Sequence, residues 1–173
     1  MKKLLLASVC LLSTPALALP NPIGCYAWVA TPEYAAKHSN EQIAALRLSV
    51  EKVTKEDREG WNWSFWLDVM LRGSTDVLGN HGGCDETRAP GALRCYLDYK
   101  FPGGGGGRVI FTPGRKPNIF ITDPIRTDNN KLHLSFEGED RTLKLQRVNP
   151  AICERDVGKA LEGLRKLWGG EPK

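Results

Sequence analysis

Candidates for acid–base catalysis are few, because the chain contains only three histidines: His38, His81 and His133. No Gly-x-Ser-x-Gly motif, which presents the nucleophile in many hydrolases, accompanies them. His133 alternates outward beside Ser135 on a predicted strand, as a solvated surface pair does. The histidines therefore predict no catalytic centre.

Asp68 is the only carboxylate that adjoins a cluster of aromatic residues. An acidic group beside Trp66 could have a raised pKa, as functional carboxylates often do. The alternative is an aspartate on the polar side of a strand, facing water. The sequence favours this second interpretation, and it places no two carboxylates as an acid and base pair.

Cysteine could serve as a nucleophile, a metal ligand or half of a disulfide. An even number of cysteines in an exported domain favours disulfides, and four remain once Cys10 is removed with a predicted export signal. They are Cys25, Cys84, Cys95 and Cys153. Three connectivities are possible. Turn residues at 89–91 favour a hairpin that pairs Cys84 with Cys95, which leaves Cys25 to pair with Cys153.

Five consecutive glycines, Gly103 to Gly107, could suggest a phosphate-binding loop. Such loops need a following Gly-Lys-Ser/Thr motif or a helix, whereas a strand is predicted here over 108–112. The glycines therefore predict a hairpin loop. The cysteines also lack the paired Cys-x₂-Cys spacing of structural zinc. We accordingly expect no cofactor and no metal.

Residues 1–18 have the features of an export signal. A basic start at Met1 to Lys3 precedes the apolar run Leu4 to Leu12, and Ala16-Leu17-Ala18 matches a cleavage site. The apolar run is far shorter than the roughly 20 residues needed to span a bilayer. Cleavage near Ala18 would leave 19–173 as one domain, which we expect to be a periplasmic or secreted monomer without a membrane span.

The formal net charge of the full chain is only +4, and its charged residues are scattered. Proteins that bind nucleic acids usually carry a concentrated basic patch or stripe. Neither the charge nor its distribution therefore favours nucleic acid as a partner.

The longest pattern in the chain is an alternation over 61–72 that predicts a strand with one buried face. Its apolar positions are Trp61, Trp63, Phe65, Leu67, Val69 and Leu71. Other large side chains are predicted to face outward, where they would cover a helix or form an exposed patch. These are Trp66, Met70, Tyr96 and Phe120.

Further short strands separated by turn signals predict an all-β fold: a mostly antiparallel barrel or closed sandwich of about eight strands. One of these strands, at 77–78, is predicted to end before Gly82-Gly83. A C-terminal α-helix is predicted over about 150–168 from apolar residues at helical spacing. These are Val157, Ala160, Leu161, Leu164 and Trp168.

Several short segments around the cysteines resemble a family of small exported, disulfide-containing β proteins of Gram-negative bacteria. They are Cys25-Tyr26-Ala27-Trp28, Tyr34 to His38, Gln42 to Leu48, Gly83-Cys84, Arg94-Cys95 and Val148 to Cys153. The resemblance covers most of the chain after the export signal. It implies no activity and assigns no catalytic residue.

The aromatic residues are the best indication of function, since a barrel of eight strands is either filled by side chains or holds one small ligand. The predicted ligand-binding residues are Trp61, Trp63, Phe65, Tyr99 and Phe101. We expect an exported binding protein, not an enzyme, with a small apolar ligand inside the barrel. One alternative is an interaction module for an envelope or host protein, such as a hydrolase inhibitor, acting through loops 85–91 and 103–107. The other is a small hydrolase whose site the sequence does not reveal.

Overall fold

The computed structural model describes residues 19–38, 43–54, 60–73, 77–88, 90–97, 106–126, 133–134 and 141–154. Within these ranges the chain forms one short helix, one 3₁₀ turn and eleven strands. The elements are β1 (Gly24–Val29), α1 (Pro32–Lys37), β2 (Ile43–Lys52), β3 (Trp63–Leu71), β4 (Val77–Glu86), β5 (Leu93–Leu97), β6 (Gly107–Thr112), β7 (Asn118–Asp123), β8 (Ile125–Arg126), β9 (His133–Leu134), β10 (Thr142–Lys144), β11 (Gln146–Arg147) and the 3₁₀ turn Pro150–Cys153.

Nine of these strands form one antiparallel sheet in the order β10-β7-β6-β5-β4-β3-β2-β1-β11. Strands β10 and β11 follow each other across Leu145, and one pairs with β7 while the other pairs with β1. This stretch of chain therefore joins the two ends of the sheet into a nearly closed barrel. The prediction of a mostly antiparallel barrel of about eight strands is confirmed. Strands β8 and β9 pair with each other as a separate two-stranded sheet, and Ile125 of β8 packs into the core of the barrel.

The alternation that predicted the longest strand is observed in β3. Phe65, Leu67 and Val69 point into the barrel and are at most 1% exposed. They join one continuous apolar cluster to which β1, β2 and β4 to β7 also contribute. Burying an apolar side chain of this size contributes about 1.5–3 kcal/mol, so this cluster is the main source of stability. The strand begins at Trp63, two residues later than the pattern suggested.

Strand β4 runs through the Gly82-Gly83 pair that was predicted to follow a short strand, so that prediction is wrong. The glycines allow close approach between neighbours instead of turning the chain. A Cβ atom at Gly82 would come within 1.8 Å of the Tyr96 carbonyl oxygen. One at Gly83 would come within 2.1 Å of the Trp61 ring. Glycine within a strand often marks such a close contact.

Both predicted disulfides are present. Cys84 and Cys95 are directly opposed on β4 and β5, with their Cα atoms 4.1 Å apart. Cys25 on β1 is linked to Cys153, with a Cα–Cα distance of 5.8 Å. The two connections close sequence separations of 11 and 128 residues, so the second one ties the start of the fold to its end.

The short helix α1 begins with Thr31, which caps it by accepting the Tyr34 N–H, and Pro32 follows. The predicted C-terminal helix does not begin at 150, because a 3₁₀ turn occupies 150–153 and Glu154 is extended. The rest of that predicted helix lies outside the described residues. Within the described ranges, no helix has the length and apolar character needed to cross a membrane.

Candidate functional site

The aromatic residues predicted to bind a ligand lie in different settings. Phe65 is fully buried inside the barrel, and Trp63 packs against the same cluster while staying partly exposed. Trp61 lies on the outer surface, over Gly83. Tyr99 and Phe101 fall outside the described residues, so their role stays a prediction. Of the three that the structure describes, only two contact the interior.

The described part of the barrel interior is filled by side chains. Phe65, Val109 and Phe111 are 0% exposed, so they line no cavity large enough for a water molecule. The rings of Tyr26 on β1 and Phe111 on β6 meet edge to face, with their centroids 4.9 Å apart. Side chains from non-adjacent strands thus touch within the barrel, as expected for a barrel of this size with a packed core.

A row of aromatic and charged side chains crosses part of the outer surface. The Trp61 ring lies 5.3 Å from the Tyr96 ring, and the Arg108 guanidinium is 5.7 Å from the Tyr96 centroid. Arg108 in turn donates a hydrogen bond from Nε to Asp123 Oδ2 at 2.6 Å. Both members of this ion pair are nearly half exposed. Because water screens such pairs, this row contributes little to stability through its charges.

Residues 149–154, which we call the strap, lie across the outer side of β1 and β2. The Asn149 side chain starts the strap by accepting the N–H of Ala151 at 3.0 Å, and Pro150 follows. The disulfide from Cys25 then holds the other end at Cys153. Just before the strap, the Val148 N–H donates to the Cys25 carbonyl oxygen at 3.0 Å, so this short segment is fixed to β1 at both ends.

Arg47 on β2 binds the strap through hydrogen bonds. Its Nη1 donates to the carbonyl oxygens of Ile152 and Glu154, at 2.5 and 3.2 Å, and its Nε donates to Asp68 Oδ2. Asp68 is the direct cross-strand neighbour of Arg47 on β3. A buried charge is stable only when it is paired and hydrogen-bonded, and Arg47 meets both conditions.

Asp68 is largely buried, with only 14% of its side chain exposed, so it is not the water-facing aspartate that the sequence favoured. Burial raises the pKa of the Asp68 carboxyl above its ordinary value, and the charge and hydrogen bond of Arg47 oppose that shift. Arg47 links Asp68 to the strap, and the strand pattern could not predict this contact.

A groove of about 370 Å³ opens on the outer surface beside the Arg47–Asp68 pair. This volume is at the lower end of the range for small ligand sites. Strands β2, β3 and β4 supply most of its surface and the strap supplies Cys153. The lining residues are Arg47, Ser49, Glu51, Trp66, Asp68, Val77, Gly79 and Cys153. The groove thus combines two carboxylates, one paired guanidinium, an indole and a hydroxyl.

Ser64 and His81 form a second polar pair on the outer surface, with Ser64 Oγ 3.0 Å from His81 Nε2. This distance suits a nucleophile and its base, but acyl transfer also needs N–H donors for the oxyanion. Ser64 and Gly83 are opposed in the centre of the sheet, where backbone N–H groups are used in strand pairing. Among the described residues, the paired backbone of β3 and β4 therefore offers no N–H group that is free to bind an oxyanion beside this pair.

Sequence reasoning missed the residues that build the groove. No motif marks Arg47, Ser49 or Glu51 as part of a site, and their neighbours in the sheet depend on the strand register, which a single sequence does not reveal. No sequence pattern indicated that Gly79 belongs to a site. Within the described part of the chain, no three side chains of the metal-binding types come together.

Known proteins add nothing to this description, because the chain matches no protein-family model, no curated protein and no solved structure. The resemblance to a family of exported β proteins therefore stays an expectation. The groove beside Arg47 and Asp68 is the candidate site because of its own geometry.

Proposed function

We propose that this chain is an exported, non-enzymatic binding protein that contacts a partner protein through the outer groove. The groove beside the buried Arg47–Asp68 pair carries the proposal. Two disulfides support export, because such bonds persist mainly in oxidising compartments.

The packed interior does not support the expectation that a small apolar ligand binds inside the barrel. The core residues from β3 and β6 have no exposed surface, so a ligand among them would have to displace side chains. Packing an extra group into a filled core costs about 1–3 kcal/mol. An interior site would have to be bounded by residues beyond those described. The outer groove needs no such rearrangement.

The hairpin loop at 85–91 is a second candidate contact surface. The Thr87 N–H and hydroxyl both donate to the Ala92 carbonyl oxygen, at 3.0 and 3.3 Å, which orders the described part of the loop. Arg88 and Pro90 are exposed there. An inhibitor that acts through its loops would use such a surface. We favour the groove because more of its polar groups are buried and held by hydrogen bonds.

Peptide selection tests whether the groove binds protein. A displayed library of random 12-residue peptides is selected on the immobilised full chain with its disulfides intact. The selected peptides are then measured against Ser49→Trp and Val77→Trp, which fill the groove from two strands. Thr112→Trp is the control, because it adds the same side chain to the outer surface of β6.

We expect the selected peptides to bind the wild type and Thr112→Trp equally, and to lose at least tenfold in affinity on both groove-filling variants. Melting temperatures identify any variant that fails to fold. Peptides that bind all four proteins equally would contradict the proposal. A change at Arg88 that abolishes binding would instead favour the loop.

A further inference from the structure

Gly79 occupies a position in β4 whose backbone does not require glycine. It lies directly opposite Asp68 in the sheet, and it is not among the glycines with positive φ. A glycine within a strand weakens it, so the absence of a side chain needs another reason. A Cβ atom here would lie 2.8 Å from Asp68 Oδ1. Glycine therefore keeps the space in front of this oxygen open.

The two oxygens of Asp68 have different surroundings. Oδ2 accepts the hydrogen bond from Arg47 Nε, whereas no donor among the described residues contacts Oδ1. Both Asp68 and Gly79 line the groove. An ionised carboxylate can accept about four hydrogen bonds, so Oδ1 has unused capacity on the side that faces Gly79.

The charges around the groove favour a cation. Arg47 is the one guanidinium in the described lining, and its Nε and Nη1 already donate to Asp68 and to the strap. Glu51 adds a second carboxylate, whose Oε1 accepts the Ser49 hydroxyl at 3.2 Å. In the described lining, two carboxylates thus face one guanidinium whose Nε and Nη1 are already in use. Trp66, whose ring also meets the His81 ring with a centroid distance of 4.2 Å, lines the groove, and aromatic rings attract cations held close to them.

We propose that the groove binds an arginine side chain of a partner protein, with Asp68 Oδ1 accepting a hydrogen bond from its guanidinium. This inference rests on the proposed function and names the group that the site recognises. An arginine combines several N–H donors with a flat surface for the Trp66 ring. Its side chain fills only part of a 370 Å³ groove, and the flanking backbone of a protein fills the rest.

The test uses two acetylated and amidated pentapeptides, Ala-Ala-Arg-Ala-Ala and the same peptide with citrulline in place of arginine. Citrulline keeps the shape of arginine but removes its charge. Binding to the full chain is measured by saturation-transfer NMR in low-salt buffer. We expect the arginine peptide to bind at least tenfold more tightly, because only its charged group complements the Asp68 carboxylate.

Two variants then locate the binding. Gly79→Ala blocks the approach to Asp68 Oδ1 without changing any charge, and Asp68→Asn removes the charge. Each should reduce binding of the arginine peptide to the level of the citrulline peptide. Asp123→Asn is the matched control, because it alters another Arg–Asp pair on the outer surface, and it should leave binding unchanged.

Equal binding of the two peptides to the wild type would overturn the inference, whether or not the variants fold. An equal loss on Asp123→Asn would also overturn it, since binding would then follow general charge. The proposed function fails separately: it is contradicted if filling the groove with Ser49→Trp leaves selected peptides bound. If that filling abolishes binding while arginine and citrulline remain equivalent, only the inference about arginine is lost.

Discussion

Two Arg–Asp pairs lie on the outer surface of the barrel, and they differ mainly in what covers them. Arg47–Asp68 joins β2 to β3 with side chains 7% and 14% exposed, whereas Arg108–Asp123 joins β6 to β7 with side chains 46% and 44% exposed. Both pairs connect direct cross-strand neighbours through Nε and Oδ2. The chemistry is the same, and only the first pair has the strap across it.

The comparison shows how a short covering segment can bury an ion pair on the outer surface and leave a groove beside it. Water screens the exposed pair, so its charges are worth little to stability or recognition. The covered pair loses water, which strengthens its electrostatic interactions and makes each missing partner costly. The strap therefore has two effects: it buries Arg47 and it forms part of the groove beside Asp68.

The largest expected effect comes from releasing the strap. Replacing Cys25 and Cys153 together by alanine should lower the free energy of unfolding by about 5 kcal/mol in the chain-entropy model, because 128 residues separate them. Removing Cys84–Cys95, with a separation of 11, should cost about 3 kcal/mol. Denaturant unfolding of both double variants measures the difference. Equal losses of unfolding free energy for the two double variants would mean that loop length does not determine how much each disulfide stabilises the fold.

Strand β3 allows the same comparison between the inside and the outside of the barrel. Phe65→Ala should cost about 3–5 kcal/mol, because it leaves a cavity in the filled interior. Ser64→Ala, one residue away on the outer face, should cost about 1 kcal/mol for its lost hydrogen bond to His81. Chemical denaturation checks both. Similar losses at the two positions would contradict a packed interior.

The two ion pairs themselves should respond unequally when the arginine is removed. Arg47→Ala leaves Asp68 buried without its partner and also releases the strap carbonyls, so we expect a loss of about 3 kcal/mol. Arg108→Ala should have a much smaller effect, because Asp123 remains hydrated. Thermal unfolding monitored by circular dichroism measures both. Comparable losses would show that the strap does not distinguish the two pairs.

The smallest expected effect is a pH trend at Asp68. Because burial raises its pKa in the folded state, the stability linked to this group is full below the unfolded pKa and is lost as pH rises through the folded value. Asn cannot ionise, so the stability of Asp68→Asn relative to the wild type should rise as the pH rises above about 4, the ordinary pKa of aspartate in an unfolded chain. Urea unfolding at several pH values measures the trend. A relative loss of stability across this range would mean that Arg47 outweighs burial.

The barrel could be predicted because the patterns that indicate its strands and turns lie within short stretches of sequence. Alternation in β3 gives the inward face, the turn residues at 89–91 favour the hairpin that joins Cys84 to Cys95, and that pairing leaves Cys25 for Cys153. The site could not be predicted in the same way. To predict that Arg47 lies opposite Asp68, the register between β2 and β3 must be known. To predict that Arg47 is buried, the position of the strap, about 105 residues later in the chain, must also be known.

The interpretation of glycine shows the same limit. The sequence predicts that a short strand ends before Gly82-Gly83, because glycine most often marks a turn when a sequence is considered alone. In the structure, Gly82 allows the Tyr96 backbone to approach closely and Gly83 allows the Trp61 ring to do so. Gly79 leaves space beside Asp68. Such reasons depend on residues that are distant in sequence, so composition and spacing do not reveal them.

The most direct test of this account locates binding on the surface of the full chain. A two-dimensional NMR titration with the arginine pentapeptide follows the backbone amides of Gly79, beside the covered pair, and Thr122, beside the exposed pair. The account predicts a saturable shift at Gly79 and little change at Thr122. Equal shifts at both amides, or a response among interior residues such as Phe65 and Val109 instead, would contradict it.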